Sequence, residues 1–246
     1  MIELIYDGTF EGLLTAIFYG YTYKEEIKIT NNKNYLPSLL DKPIYIKTEE
    51  DKFNRVYKSI LNKLSNTVLE KIYYVYLSEV NNSENIIMKY VKLCYKYGVN
   101  INLAKNNNII IFIDKYSKKV IKEAHNFTGF VRFKEFAPLS FYSAIEPDHN
   151  ILPLLIGHFV KRFQDQNFII HDLKREEAII YNKESVVISS FPKEKYEKFM
   201  SNCKNDEFEN LWKTFFKATD IKERKNLRLQ CQLMPKRYWK HMTEFQ

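Results

Sequence analysis

The chain has 246 residues, 45% hydrophobic and 28% charged, with a formal net charge of +8. Those proportions describe a globular chain able to bury a core, and they exclude a disordered, collagen-like or small disulfide-stapled protein. No apolar run approaches the ~20 residues that span a bilayer, no signal peptide is expected, and the expectation is a cytoplasmic protein away from membranes.

Ile2–Tyr6 reads as a short apolar strand. A turn at Asp7-Gly8 follows, and Thr9 is placed to cap a helix carrying Phe10, Leu13, Leu14, Ile17, Phe18 and Tyr21 at helical spacing. Residues 31–38 read as a polar loop and Ile44–Ile46 as another strand, and the pattern is helical from Glu49 to Tyr97 with breaks near Ser65 and at Asn81-Asn82. Asn106-Asn107-Asn108 marks a boundary before apolar Ile109–Ile113 and a basic segment. Domains are expected at 1–115, largely helical α/β, and at 116–246.

Beyond Gly129 the period changes to two, which would put Arg132 and Lys134 on one face of a strand, with Phe141–Glu146 as its neighbour. Asn150 is expected to cap a helix with core residues Leu152, Leu155, Ile156, Phe159 and Phe163, leaving His158 and Arg162 on the far side. Phe168–His171, Ala178–Tyr181 and Val186–Ser189 read as an antiparallel meander. Two helices close the chain. One repeats Phe208, Leu211, Trp212, Phe215 and Thr219 behind Asp206 and Glu209; the other starts at Asp220, with Glu223 three later in the manner of a capping box. The fold class is α+β, a mixed strand and helix region followed by an antiparallel sheet with flanking helices.

The three cysteines, Cys94, Cys203 and Cys231, are too scattered for a disulfide framework or a zinc site, and neither a P-loop nor a GxGxxG fingerprint occurs. No cofactor is expected, although a divalent metal could sit among the acids and histidines of 146–172. Glu146, Asp148, His149, His158, His171 and Asp172 are the candidates there for general acid–base or metal chemistry. Ordinary roles at caps, turns and in the sheet compete for the same residues. Charge concentrates in two segments of +5 each, 115–134 and 217–246. A polyanion responds to such local clusters. Candidate nucleic-acid contacts are Arg132, Lys134, Arg162, Lys174, Arg175, Arg224, Lys225, Arg228, Lys236 and Arg237, with Tyr238 and Trp239 to stack on an exposed base.

Four segments, YDGTFEGLLTAIF (6–18), EAHNFTGFVRFKEF (123–136), YSAIEPDHNILPLLIGHFVKRFQDQNFIIHDLKREEAIIY (142–181) and IKERKNLRLQCQLMPKRYWKHM (221–242), resemble one bacterial family of DNA metabolism or repair proteins of unknown mechanism. The resemblance is strongest over 123–242 and weak over 22–105. Phe168 stands where the family pattern has Trp, and Cys231 where it has Arg. Members of that family are encoded beside a DNA-modifying or DNA-repair radical SAM protein, and a similar domain is fused to uracil-DNA glycosylase superfamily members. The resemblance implies a DNA-associated accessory protein whose partners are DNA and the radical SAM protein. It carries over no catalytic residues. Two other readings stay open: an enzyme acting on nucleic acid or a nucleotide through the Glu146–Asp172 cluster, and an interaction scaffold that docks a partner through its aromatic N-terminal half.

Overall fold

A computed structural model describes residues 2–23, 25–38, 41–203 and 207–245. The chain divides into two compact units, residues 1–121 and 122–246.

In the first unit, β1 (Ile2–Tyr6) is followed by α1 (Phe10–Thr22), β2 (Ile27–Asn31) and β3 (Lys42–Tyr45). The strands make a parallel sheet in the order β2-β1-β3, with Leu4 opposite Ile29 on one side and Ile44 on the other. All five residues of the central strand are buried, as a run of Ile, Glu, Leu, Ile and Tyr in a parallel strand requires. Its one charge, Glu3, is held by Lys28 at 2.8 Å and by the Thr30 hydroxyl at 2.5 Å. Strand β2 has no counterpart in the sequence reading. Its Ile-Lys-Ile-Thr-Asn is short and only its middle residue is buried, so the apolar signal is weak.

The turn into α1 is set by local chemistry. Gly8 adopts φ +87°, a left-handed conformation that favours glycine. The Thr9 hydroxyl accepts from the Gly12 N–H at 2.9 Å, the expected cap, and Asp7 in turn accepts from the Thr9 N–H at 3.0 Å and the Thr48 hydroxyl at 2.6 Å. Helices α2 (Glu50–Lys63), α3 (Asn66–Leu77) and α4 (Ser83–Tyr97) follow, with the breaks where they were expected. The core gathers Leu4, Leu13, Leu14, Ile17, Ile60, Val68, Ile72 and Val91.

Helix α5 (Asn108–Phe130) makes one element of the apolar Ile109–Ile113 and the basic run after it, which the sequence reading left unassigned. Its buried line of Ile113, Ser117, Val120, Ala124 and Phe127 is a helical stripe that the flanking lysines obscure in the sequence.

In the second unit, β4 (Lys134–Ala137), β5 (Ser140–Ile145), α6 (Leu152–Arg162), β6 (Asn167–Asp172), β7 (Glu177–Tyr181) and β8 (Val186–Ser190) build a five-stranded sheet in chain order. The meander β6-β7-β8 is antiparallel as expected, but β5 and β6 run parallel, so the sheet is mixed. A helix joining two adjacent strands makes a parallel crossover, which the hairpin-like spacing of the other strands conceals. Arg132 lies outside β4 and shares no strand face with Lys134. Phe159, Phe163 and Phe168 form an aromatic layer beneath α6. On another side of the sheet Tyr142, Ala178 and Phe191 pack with Tyr196, Phe199 and Met200, mostly from α7 (Lys195–Asn202), a helix absent from the sequence reading. The cap of α6 is Ile151 rather than Asn150, with Pro153 in the first turn.

The chain ends in α8 (Glu207–Ala218), a 3₁₀ turn (Lys222–Arg224), α9 (Leu227–Leu233) and 3₁₀ turns over 236–245. Asp206, expected to head α8, lies outside the described residues, and no helix starts at Asp220. Instead Asn226 caps α9 through the Leu229 N–H at 3.0 Å. Among the described residues no helix is long and apolar enough to cross a membrane.

Candidate functional site

Because β5 and β6 are parallel, their carboxyl ends lie at the same edge of the sheet. The 146–150 loop leaves one, and the 173–176 turn leaves the other. Asp172, the last residue of β6, is fully buried. Its Oδ1 accepts from the N–H groups of Lys174 (2.9 Å) and Arg175 (3.3 Å), and its Oδ2 accepts from Arg175 Nη1 at 2.8 Å. Burial pushes this carboxyl up, with Arg175 pulling against it. Arg175 also donates to the carbonyls of Pro147 (3.3 Å) and Asp148 (3.0 Å), and Lys174 Nζ donates to the same Asp148 carbonyl at 3.1 Å. The turn after β6 is thereby pinned to the loop after β5.

A second acid grips that loop from the helix side. Glu123 on α5 is 7% exposed, and its two oxygens accept from the N–H groups of Asp148 (2.7 Å) and His149 (3.0 Å). The Tyr238 hydroxyl donates to Glu123 as well. Arg237 Nη2 pairs with Asp148 Oδ2 at 2.7 Å. Lys240 pairs with Glu146, and His241 Nε2 lies 3.3 Å from it. Burial pushes the Glu146 carboxyl up, but Lys240 and His241 outweigh it and hold the group below its ordinary range.

The structure therefore brings Glu123, Asp148, the His149 backbone, Asp172, Lys174, Arg175, Arg237 and Tyr238 into one network, and pairs Glu146 beside it with Lys240 and His241. Glu146, Asp148 and Asp172 each already face a cation, and to act on a substrate each would first have to release that partner. Among the described residues no group of three or more His, Cys, Asp or Glu side chains is placed to hold a metal ion.

The remaining histidine candidates lie elsewhere. His171, one residue before Asp172, faces the Phe191 side of the sheet. It is fully buried, shares a 2.7 Å hydrogen bond with the Tyr142 hydroxyl, and meets the Phe191 ring edge-on at 4.8 Å. Burial lowers its pKa to about 4, so the ring is neutral at physiological pH. His158 and Arg162 sit one turn apart on the exposed side of α6.

The basic candidates separate into paired and exposed groups. Arg132 forms a two-point contact with Glu244, through Nη2 at 2.6 Å and Nε at 3.1 Å, and Lys134 pairs with Glu209 at 3.2 Å. Arg224, Lys225, Arg228 and Lys236 are exposed, as is Lys222 beside them. Tyr238 does not fit the stacking role expected of it. Its ring is 5% exposed and packs edge-on against Phe127 at 4.9 Å. Trp239 is half-buried, stacked on Phe245 at 4.2 Å with its Nε1 donating to the Met234 carbonyl. More exposed are Trp212 and Phe215, stacked at 5.8 Å on α8, the Trp212 Nε1 donating to Glu244 at 3.2 Å.

Three participants escaped the sequence reading: Glu123, Glu244 and the Trp212–Phe215 pair. Glu123 was detectable, because it falls beside Val120, Ala124 and Phe127 on the apolar stripe of α5, where a charge needs a partner.

No curated protein matches the chain. A family model described as a domain of unknown function, DUF4130, matches residues 81–244, which hold both the β5–β6 edge network and the exposed basic segment. Covering about two thirds of the 246 residues, that match shows that the chain belongs to the DUF4130 family.

Proposed function

We propose that this protein is a DNA-associated accessory factor in DNA repair or modification, working beside a radical SAM enzyme. The observation that carries the reading is the closing segment. Exposed Lys222, Arg224, Lys225 and Arg228 follow directly on a helix that displays Trp212 and Phe215. Cations that neutralise phosphates, interleaved with aromatic rings on which bases stack, make up the usual footprint for nucleic acid. Arg237 contributes less than the sequence suggests, since Asp148 already neutralises it. The partner protein has its own support in the exposed apolar side chains of Leu211, Ile221, Leu227, Leu229 and Leu233, a run that a solitary protein normally covers.

Replacing Arg224, Lys225 and Arg228 together by Ala tests the reading. On duplex DNA the slope of log K against log salt should flatten by roughly 0.9 for each phosphate no longer neutralised, close to three in all. Arg237→Ala should move it by less than one. A slope untouched by the triple substitution would remove the segment from the interface.

A further inference from the structure

The first unit contains an open cavity of about 260 Å³, lined by Phe10 at the start of α1, Tyr57 on α2, and Asn66, Leu69, Glu70 and Tyr73 on α3. That is just below the ~300–1,000 Å³ of sites for drug-sized ligands, so the occupant is small. Half of the lining residues are aromatic. Phe10 meets Tyr73 edge-on at 5.0 Å, and Tyr73 lies nearly parallel to Tyr76 at 6.2 Å, so the Tyr73 ring is braced from behind. Tyr57 stands on a different helix and is packed against Phe53 at 5.6 Å.

The polar rim has one character. The Asn66 amide donates to Glu70 Oε1 at 2.8 Å, which leaves the Asn66 carbonyl and the Glu70 carboxylate as hydrogen-bond acceptors at the lip. None of the six lining residues is basic, so the cavity does not select a phosphate. Flat aromatic walls of this kind take a planar ring by stacking. A rim of acceptors that includes a carboxylate selects a ring whose edge donates hydrogen bonds, as Glu and Asp select the cytosine amino group.

We infer that this cavity binds a nucleobase bearing an exocyclic amino group, its ring lying against Tyr57 and Tyr73 and its amino group donating to Glu70. Thymine is disfavoured, because its single N–H is flanked by two carbonyls that the carboxylate repels. The inference shares a ligand class with the DNA-binding reading but uses none of the residues of the basic segment.

The test titrates the full-length chain with free deoxycytidine, deoxyadenosine, deoxyguanosine and thymidine, followed by ligand-observed NMR. Saturable binding of the three amino nucleosides in preference to thymidine is expected. Tyr73→Ala should weaken it by roughly 5- to 150-fold, the range for removal of one base–aromatic stack. Glu70→Lys, at an exposed position that does not endanger folding, should abolish the preference over thymidine. Equal binding of all four nucleosides, or a preference that survives both substitutions, would overturn the proposal.

A second arm separates a free nucleoside from a base within a strand. Single-stranded oligonucleotides carrying cytosines or abasic sites are compared by fluorescence anisotropy. If Tyr73→Ala erases a cytosine preference and leaves the salt slope unchanged, the occupant is a base within DNA. Oligonucleotide binding without any nucleoside binding would overturn the cavity and spare the DNA reading, and the reverse result would do the opposite.

Discussion

Glu123 holds together three segments distant in sequence: its own helix, the loop after β5, and the closing stretch around Tyr238. Hydrogen bonds to a charged acceptor are worth about 1.5–3 kcal/mol each, more when the loss strands buried donors. Glu123→Gln should therefore cost roughly 2–4 kcal/mol in urea unfolding, and Tyr238→Phe a smaller amount, about 1–2 kcal/mol. Losses under ~0.5 kcal/mol for both would mean that the network is ornamental to stability. His171 gives a pH signature. Its folded-state pKa of about 4 lies below the ordinary 6.5, so between those values the unfolded chain binds the extra proton. Stability should fall as pH drops from 6.5 toward 4, by up to about 3 kcal/mol, and His171→Gln should remove that part of the slope. A variant with the unchanged slope would assign it to other groups. Strand period puts the adjacent His171 and Asp172 on opposite faces, and in the structure His171 meets Tyr142 and Phe191 while Asp172 meets Arg175. It could not show which face was dry, since that depends on α7, whose eight residues carry a short and mostly polar pattern.

At the scale of elements, the β6–β7 turn and the β5–α6 loop are joined by one guanidinium. Arg175→Ala would leave Asp172 buried without its cation and should cost about 3–5 kcal/mol, whereas adding Asp172→Asn to that variant should recover part of the loss. No recovery would place the cost in the bonds to Pro147 and Asp148 instead. The β1–α1 turn makes a steric claim. A Cβ on Gly12 would lie 2.2 Å from Asp7 Oδ1, so Gly12→Ala should displace the Asp7 carboxylate and lower the melting temperature despite the better helix propensity of Ala. Elements with strong local signals were legible: β1, α1 and its Thr9 cap, the breaks between α2, α3 and α4, and the meander. The parallel pairing of β5 with β6 was not, because strand order is decided by where α6 packs, and a single strand's alternation is blind to its neighbour. The α8 repeat was legible, but its exposure was not, since periodicity shows that an apolar face exists without saying what covers it.

For the whole molecule, the net charge of +8 already counts every acid, and what a polyanion meets is set by where the cations without a neighbouring acid lie. Arg132, Lys134, Arg175, Arg237 and Lys240 are paired with acids, whereas Lys115, Lys118, Lys119 and Lys122 on α5 and Lys222, Arg224, Lys225 and Arg228 in the closing segment are exposed. Three of these pairs join residues about 90–110 positions apart in the chain, Lys240 with Glu146, Arg237 with Asp148 and Arg132 with Glu244, and a linear charge count has no access to them. The family match over residues 81–244 takes in 123–242, where the resemblance read from the sequence is strongest, and leaves out its segment 6–18. The central claim is that the protein binds DNA through its exposed cations. It is tested most directly by fluorescence anisotropy of labelled single- and double-stranded DNA with the full-length chain at about 50 and 200 mM salt. The expected result is binding that weakens by ~10³ or more between those salts, corresponding to about six phosphate contacts. Absence of binding at micromolar protein and low salt would contradict the account.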